Sequence, residues 1–411
     1  MGLFKNLSRK NIICPYCFEN FTDDKAMLLC ENPHCDSEKN EKLAKYNGVN
    51  IIESKHVFAQ RRTFFWKKDE DGYKCNNCGI KSRTYVCPHC NNQIPENMLC
   101  KGSEIISIIG GPSSGKTTYI ISLLQQLEEK ATKIGLSIII DDTGFGSKIE
   151  DERLEEIRST ASKYQKGKND LFIEHNVVQT GKLKKHFQYP WIVCLKSLKT
   201  DKEIYLVFYD TAGEDFISSE SWRDLRYIKK SKGVIVLLDT LSIPYIQNKI
   251  NEFEDDNYKG EGTSNFIKTI DALSNFVINR NNRDLCKKPF SFVFSKIDVV
   301  NNHSKDLEFN TDSLKNDSSF KETGIFSLKE IDKTHEALKK YLISPKIFNS
   351  ESVFAKLENL WGDNCRLFGV SSTGGPLNDI KEIAPFRVMD PLIWILHKLG
   401  GFEIPTDIKE K

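Results

Sequence analysis

The stretch SEIISIIGGPSSGKTT, residues 103–118, decides the fold. Ile105 to Ile109 is an apolar run of strand length, two glycines end it, and a helical pattern runs from about Lys116 to Lys130. Between them, Gly110-Gly111-Pro112-Ser113-Ser114-Gly115-Lys116-Thr117 fits G-x-x-x-x-G-K-[ST] with a strand before it and a helix after it. Glycines let backbone N–H groups converge on phosphate oxygens, and the helix N-terminus adds partial positive charge. The candidate phosphate contacts are therefore Gly110, Ser113, Ser114, Gly115, Lys116, Thr117 and Thr118. Lys116 is placed to reach β- and γ-phosphates, and the Thr117 hydroxyl to ligate Mg²⁺.

Working outward, apolar runs alternate with helical patterns. Strands are expected at 136–140, 191–198, 203–210, 233–239, 290–295 and 365–371, with helices at 150–166, 266–280 and 391–399. Strands that are apolar throughout and alternate with helices predict an α/β fold, a mostly parallel sheet flanked by helices. Residues 301–326, rich in Asn, Asp, Ser and Lys, read as an exposed insertion. The expected organisation is a module over 1–100 and a nucleotide-binding domain over 101–405, with insertions at about 131–180 and 301–360.

The phosphate loop does not choose between ATP and GTP; later segments do. Asp210-Thr211-Ala212-Gly213 ends a strand, where Asp210 would hold Mg²⁺ and the Gly213 amide would sense the γ-phosphate. Ser295-Lys296-Ile297-Asp298 ends the next-to-last strand and resembles the guanine-reading pattern [NT]-K-x-D. A carboxylate at Asp298 accepts two hydrogen bonds from guanine N1 and N2, a pair that adenine lacks, while the Lys296 stem lies against the base. Gly369-Val370-Ser371-Ser372-Thr373 ends the last strand, where a backbone amide of the Ser371–Ser372 segment would read guanine O6. All these motifs fall in order at strand ends, which points to GTP and GDP.

With these segments the chain resembles the Ras-like GTPases of the translation-factor-related class. With a cysteine module ending Cys87-Pro88-His89-Cys90 shortly before the phosphate loop, it resembles more narrowly the bacterial double-GTPase family. That resemblance implies a P-loop GTPase fold and a nucleotide-dependent switch beside a protein partner in an anti-phage or other conflict system. Two positions depart from the family pattern. Ser295 replaces the Asn or Thr that ties the guanine loop to the P-loop. Glu214 stands where the water-orienting Gln is common, and a carboxylate cannot donate to phosphate, so slow intrinsic hydrolysis is expected. A switch I threonine should precede the Trp191 strand, which in this class runs antiparallel to the one ending at Asp210. Thr180 is assigned that role, with Thr143 as the alternative.

Eight of the 12 cysteines form four close pairs: Cys14/Cys17, Cys30/Cys35, Cys75/Cys78 and Cys87/Cys90. A C-x-x-C knuckle puts two thiolates on one tetrahedral Zn²⁺, so eight cysteines make two sites, and sequential pairing is the simpler expectation. The looser Cys30–Cys35 gap leaves His34 as a substitute ligand. The other cysteines, Cys100, Cys194, Cys286 and Cys365, read as small buried hydrophobes. Residues 1–101 hold 16 Lys and Arg against 12 Asp and Glu. Two Zn(Cys)₄ centres carry −2 each, so the folded module is near neutral and nucleic acid is not expected as its partner. The basic–aromatic stretch Arg61-Arg62-Thr63-Phe64-Phe65-Trp66-Lys67-Lys68 reads as a strand rather than a base-stacking surface. A net charge of +2 names no partner either. The chain has no apolar run of membrane-spanning length, and its start lacks the apolar core of a signal peptide; a cytoplasmic, membrane-free protein is expected. The alternatives are a GTP-binding adaptor with little hydrolysis, and a zinc-ribbon P-loop protein acting on nucleic acid.

Overall fold

The computed structural model describes residues 9–60, 72–111, 114–140, 190–200, 202–208, 227–252, 265–279, 282–308, 312–344, 351–375 and 384–407. The strand leading into the phosphate loop, β1 (Ile105–Gly110), is buried at every residue because it has neighbours on both edges and helices over both faces. The remaining strands of its sheet are β2 (Leu136–Ile140), β3 (Trp191–Ser197), β4 (Glu203–Phe208), β5 (Gly233–Asp239), β6 (Phe290–Ser295) and β7 (Cys365–Gly369). Their spatial order is β2-β3-β4-β1-β5-β6-β7. From β4 through β7 all neighbours are parallel, while β3 pairs antiparallel with both β4 and β2. The mostly parallel sheet and the antiparallel β3 both match expectation; β2 adds a strand at the edge.

One face is covered by α1 (Lys116–Lys130) and α7 (Asp390–Leu399), which pack on Ile106, Ile108, Leu206, Ile235, Leu237 and Val293. On the opposite face, α3 (Asn265–Asn279) and α6 (Glu351–Trp361) pack against Val234, Val236, Phe290 and Phe292, and Trp361 meets Phe290 at a tilt and Phe292 edge-on. Two further helices follow β5 and the 312–320 segment, α2 (Pro244–Glu252) and α5 (Leu328–Leu342). A short helix, α4 (Ile297–Asn302), follows β6 directly.

The stretch read as an exposed insertion is different. Among its described residues Leu307, Leu314, Phe320 and Phe326 are all buried. Its polar composition hides a sparse apolar set that the adjoining helices cover, a pattern too irregular for a periodicity argument. The Leu314 side chain reaches Gly369 at the end of β7, so this segment backs the loop that follows.

In the N-terminal module, Met27–Leu29 is the middle strand of an antiparallel sheet with Val57–Ala59 and Thr84–Val86. The charged region after Cys35 folds into a strand, Ser37–Lys39, and a helix, Glu41–Asn47. Asn40 caps that helix by accepting from Leu43 N, and Gly48 ends it in the left-handed region. The module's buried side chains are continuous with one face of the main sheet. Phe18 packs on Tyr227 with ring centroids 5.3 Å apart. The Tyr227 hydroxyl donates to Val207 O (2.5 Å) and accepts from Ile108 N (3.0 Å), bridging β4 and β1.

Candidate nucleotide site and metal centres

Register places the candidate loops along one edge of the sheet. Gly110 pairs with Leu237, Asp239 with Ser295, and Phe294 with Gly369, so β1, β5, β6 and β7 end together. At the β1 end, Gly115 takes φ +75° as the N-cap of α1, a conformation glycine adopts without strain. At Gly110 a Cβ would lie 2.5 Å from Ser114 Oγ and 3.0 Å from Leu237 Cβ, so nothing larger fits. Lys116 is largely buried in the first turn of α1, followed by Thr117 and Thr118. The Ser114 hydroxyl is buried with no hydrogen-bond partner among the described residues, as befits a loop whose polar groups await phosphate oxygens. Ser113 lies outside the described residues.

At the β6 end, Lys296 sits at φ +55°, and Asp298 follows in the first turn of α4. Asp298 is 9% exposed, and burial pushes its carboxyl above the usual carboxylate range, opposed by a hydrogen bond from the Ser371 side chain. That bond joins the SKID segment to the last loop, as does Ile297 N donating to Val370 O (3.1 Å). Lys296 Nζ lies 3.1 Å from Asp239 Oδ1 at the tip of β5. Asp239 is a site residue that sequence reasoning missed. Its only local signal is an acid ending an otherwise apolar strand, GVIVLLD. Burial raises its carboxyl pKa, and the lysine pulls it back down.

Among the described residues, Ser295 is not seen to make the tie to the P-loop that Asn makes. Its hydroxyl donates to Leu238 O of the neighbouring strand (3.2 Å). Instead Ser122 of α1 donates to Ser372 O (2.7 Å), and Tyr119 of the same helix donates to Val388 O (2.9 Å). Beyond the guanine loop, Arg387 is buried among Glu330, Asp390 and the carbonyls of Ser313 and Asn316. Burial lifts the Asp390 carboxyl to about 7, against the pull of Arg387. The Asp210-Thr211-Ala212-Gly213 segment, Glu214, Thr180 and Thr143 lie outside the described residues, as do 150–166 and the basic–aromatic stretch 61–68.

The model of the double-GTPase 2 family matches residues 104–342, more than half of the chain. The chain belongs to the double-GTPase 2 family. That family is one of GTPases. No curated protein matches it. Among solved structures it is similar to a bacterial selenocysteine-specific elongation factor, at 11% identity and a TM-score of 0.25, covering 72% of this chain and 29% of that one. It is also similar to the GTPase-like domain of Ski7 from S. cerevisiae, solved with GTP, at 12% identity and a TM-score of 0.31, covering 73% and 50%. The chain thus spans half or less of the length of these structures.

The family match begins at residue 104, so the cysteine module stands on its own geometry. The cysteines converge as Cys14, Cys17, Cys87 and Cys90 in one group and Cys30, Cys35, Cys75 and Cys78 in the other, sulfurs within 4.8 Å of one another. Sequential pairing is therefore wrong, and the sites are nested. The antiparallel ladder dictates this: Leu29 pairs with Thr84 and Met27 with Val86, so Cys30 and Cys87 leave opposite ends of it. Cys30 meets the Cys75/Cys78 knuckle that precedes one strand, and Cys87 meets the Cys14/Cys17 knuckle that precedes the other. Tetrahedral Zn–S bonds of about 2.3 Å set sulfurs about 3.8 Å apart. Cys14–Cys90 at 3.7 Å, Cys17–Cys87 at 3.8 Å and Cys30–Cys78 at 3.5 Å fit that spacing and are far too long for disulfides. Both groups suit zinc. His34 is not in the second group; it is exposed, and its amide bonds Asn32.

No helix among the described residues is long and apolar enough to cross a membrane.

Proposed function

We propose that the chain is a Mg²⁺-dependent GTP-hydrolysing switch, its zinc module serving protein contacts in a bacterial anti-phage or other conflict system. The observation that carries this reading is the common edge of β1, β5, β6 and β7, where Lys116, Asp239, Lys296, Asp298 and Ser371 gather. In it, the 110–118 loop cradles the phosphates with Gly110, Ser113, Ser114, Gly115 and Thr118. Lys116 neutralises β- and γ-oxygens, and Thr117 and Asp210 hold Mg²⁺. Asp298 accepts from guanine N1 and N2, Lys296 flanks the base, and the Ser372 amide donates to O6. Thr180 and Gly213 sense the γ-phosphate, and Glu214 faces the attacking water. The phosphate loop gives orientation and charge neutralisation, which is most of what phosphoryl transfer asks of a protein. The role in conflict systems rests on family resemblance. Nucleic acid as partner is disfavoured by the near-neutral module, and the expected location is the cytoplasm.

Glu214 supports a second reading, a GTP-bound adaptor with little turnover. Binding and turnover are separated by one pair of measurements. GDP is expected to bind the purified full-length chain at least a hundredfold more tightly than ADP, with Asp298→Ala losing most of that ratio. GTP turnover is expected to be slow and to vanish in Lys116→Ala. Equal binding of GDP and ADP sinks the guanine reading; guanine-specific binding without phosphate release leaves the adaptor.

A further inference from the structure

We infer that Ser122, on the phosphate-loop helix, is a positioning residue for recognition of the guanine 6-oxygen. The inference rests on the guanine reading above and adds a part that the sequence motifs do not contain. The loop after β7 is fixed at successive peptide planes. Ser371 exchanges both backbone bonds with Phe386: Ser371 N donates to Phe386 O (3.1 Å), and Phe386 N donates to Ser371 O (2.7 Å). The described chain has no cis peptide bonds, and in a planar trans peptide the C=O and N–H point opposite ways. Holding Ser371 O against Phe386 therefore aims the Ser372 N–H away from it. One residue on, Ser122 Oγ donates to Ser372 O at 2.7 Å, with Ser122 only 3% exposed. The two planes flanking Ser372 are thereby both set, and with them its φ and ψ.

Two other amides of the loop are already engaged. Ser371 N bonds Phe386 O, and Gly374 N bonds the Ser371 hydroxyl (2.9 Å), which also donates to Asp298. Ser295 donates to Leu238 O of the neighbouring strand, while the Ser122 side chain links the P-loop helix to the loop after β7. Lys116 at the phosphate end and Ser122 at the base end share one rigid helix, α1, which fixes the span between phosphate grip and base reader. A hydrogen bond to an amide whose direction is already set discriminates because a poor acceptor leaves that amide unpaired.

The test uses the full-length, zinc-loaded chain and diphosphates, so that turnover does not intrude. GDP is compared with 6-thio-GDP, which replaces O6 by a poor acceptor but keeps N1–H and the 2-amino group, and with IDP, which keeps O6 but lacks the 2-amino group. In Ser122→Ala, GDP and IDP affinities are each expected to fall about fivefold while 6-thio-GDP falls less than twofold, the size of one neutral hydrogen bond. Ser122→Thr keeps the hydroxyl and is expected to keep the GDP to 6-thio-GDP ratio. Ser122→Cys, near-isosteric with a weak donor, is expected to fall between and serves if the alanine variant does not fold. Equal weakening of GDP and 6-thio-GDP, or no change in either, overturns the inference and leaves Ser122 a plain structural contact. A wild-type chain that fails to prefer GDP over ADP removes the guanine reading itself, a separate outcome visible before any variant is made.

Discussion

At the scale of single residues, the site is a set of buried charges that neighbours keep in place. The Lys296–Asp239 pair is the clearest case, an ion pair in which the acid is 8% exposed and also caps Leu241 N. Taking the charge from one partner of a partly buried pair costs more than the pair contributes, because the other charge is left unpaired. Asp239→Asn preserves the bond from Leu241 N but not the charge. It is expected to weaken GDP binding about tenfold, roughly 1.4 kcal/mol, with zinc content unchanged. Titration with GDP and elemental analysis check both halves; unaltered GDP affinity reduces Asp239 to a strand-end cap. Lys116, Asp298 and Ser371 stand out in the sequence as candidates because phosphate and guanine recognition require those residue types at strand ends. Asp239 does not, because nothing in its own segment names a lysine 57 positions away in the chain.

At the scale of elements, β1, α1, β5 and β6 could be read to within a residue, since each is a clean apolar run or a clear helical period bounded by glycine, lysine or aspartate. Elements whose meaning depends on a neighbour were harder. The knuckle around Cys14 and Cys17 is one: the residue after it, Phe18, sits at φ +58°, where the Cys75/Cys78 knuckle has Gly79 at +74°. A left-handed β-carbon-bearing residue costs about 1 kcal/mol, and here the ring's burial against Tyr227 offsets it. Phe18→Ala loses the ring and keeps the strain, so it is expected to destabilise by about 3 kcal/mol. Phe18→Gly loses the ring but relieves the strain, and is expected to cost about 1 kcal/mol less. Urea unfolding of both variants reads the difference; a glycine variant less stable than the alanine one contradicts this account of the knuckle.

At the scale of the molecule, one continuous set of buried side chains runs from the cysteine module through Phe18 and Tyr227 into the face of the sheet that bears α3 and α6. Structural zinc contributes folding free energy directly, since the site does not pre-exist in the unfolded chain. Removing zinc with a chelator is therefore expected to lower the melting temperature of the whole chain by several degrees in a single transition. Calorimetry distinguishes this from independent units: an early separate transition with the main one unmoved contradicts the shared core.

The amino-acid sequence by itself determined the mostly parallel sheet, the strand–loop–helix that carries the phosphate-loop motif, and the existence of two four-cysteine groups, and it marked the candidate guanine segments. These depend on spacing within a few residues, and local geometry enforces local spacing. Tertiary structure alone decided that the cysteine groups are nested, that Asp239 meets Lys296, that Ser122 bonds Ser372 O in the loop after β7, and that a polar insertion buries Leu314 behind that loop. Each of these joins residues far apart in the chain through strand register and helix packing, and a linear pattern carries no record of which distant carbonyl, carboxylate or thiol will lie within reach.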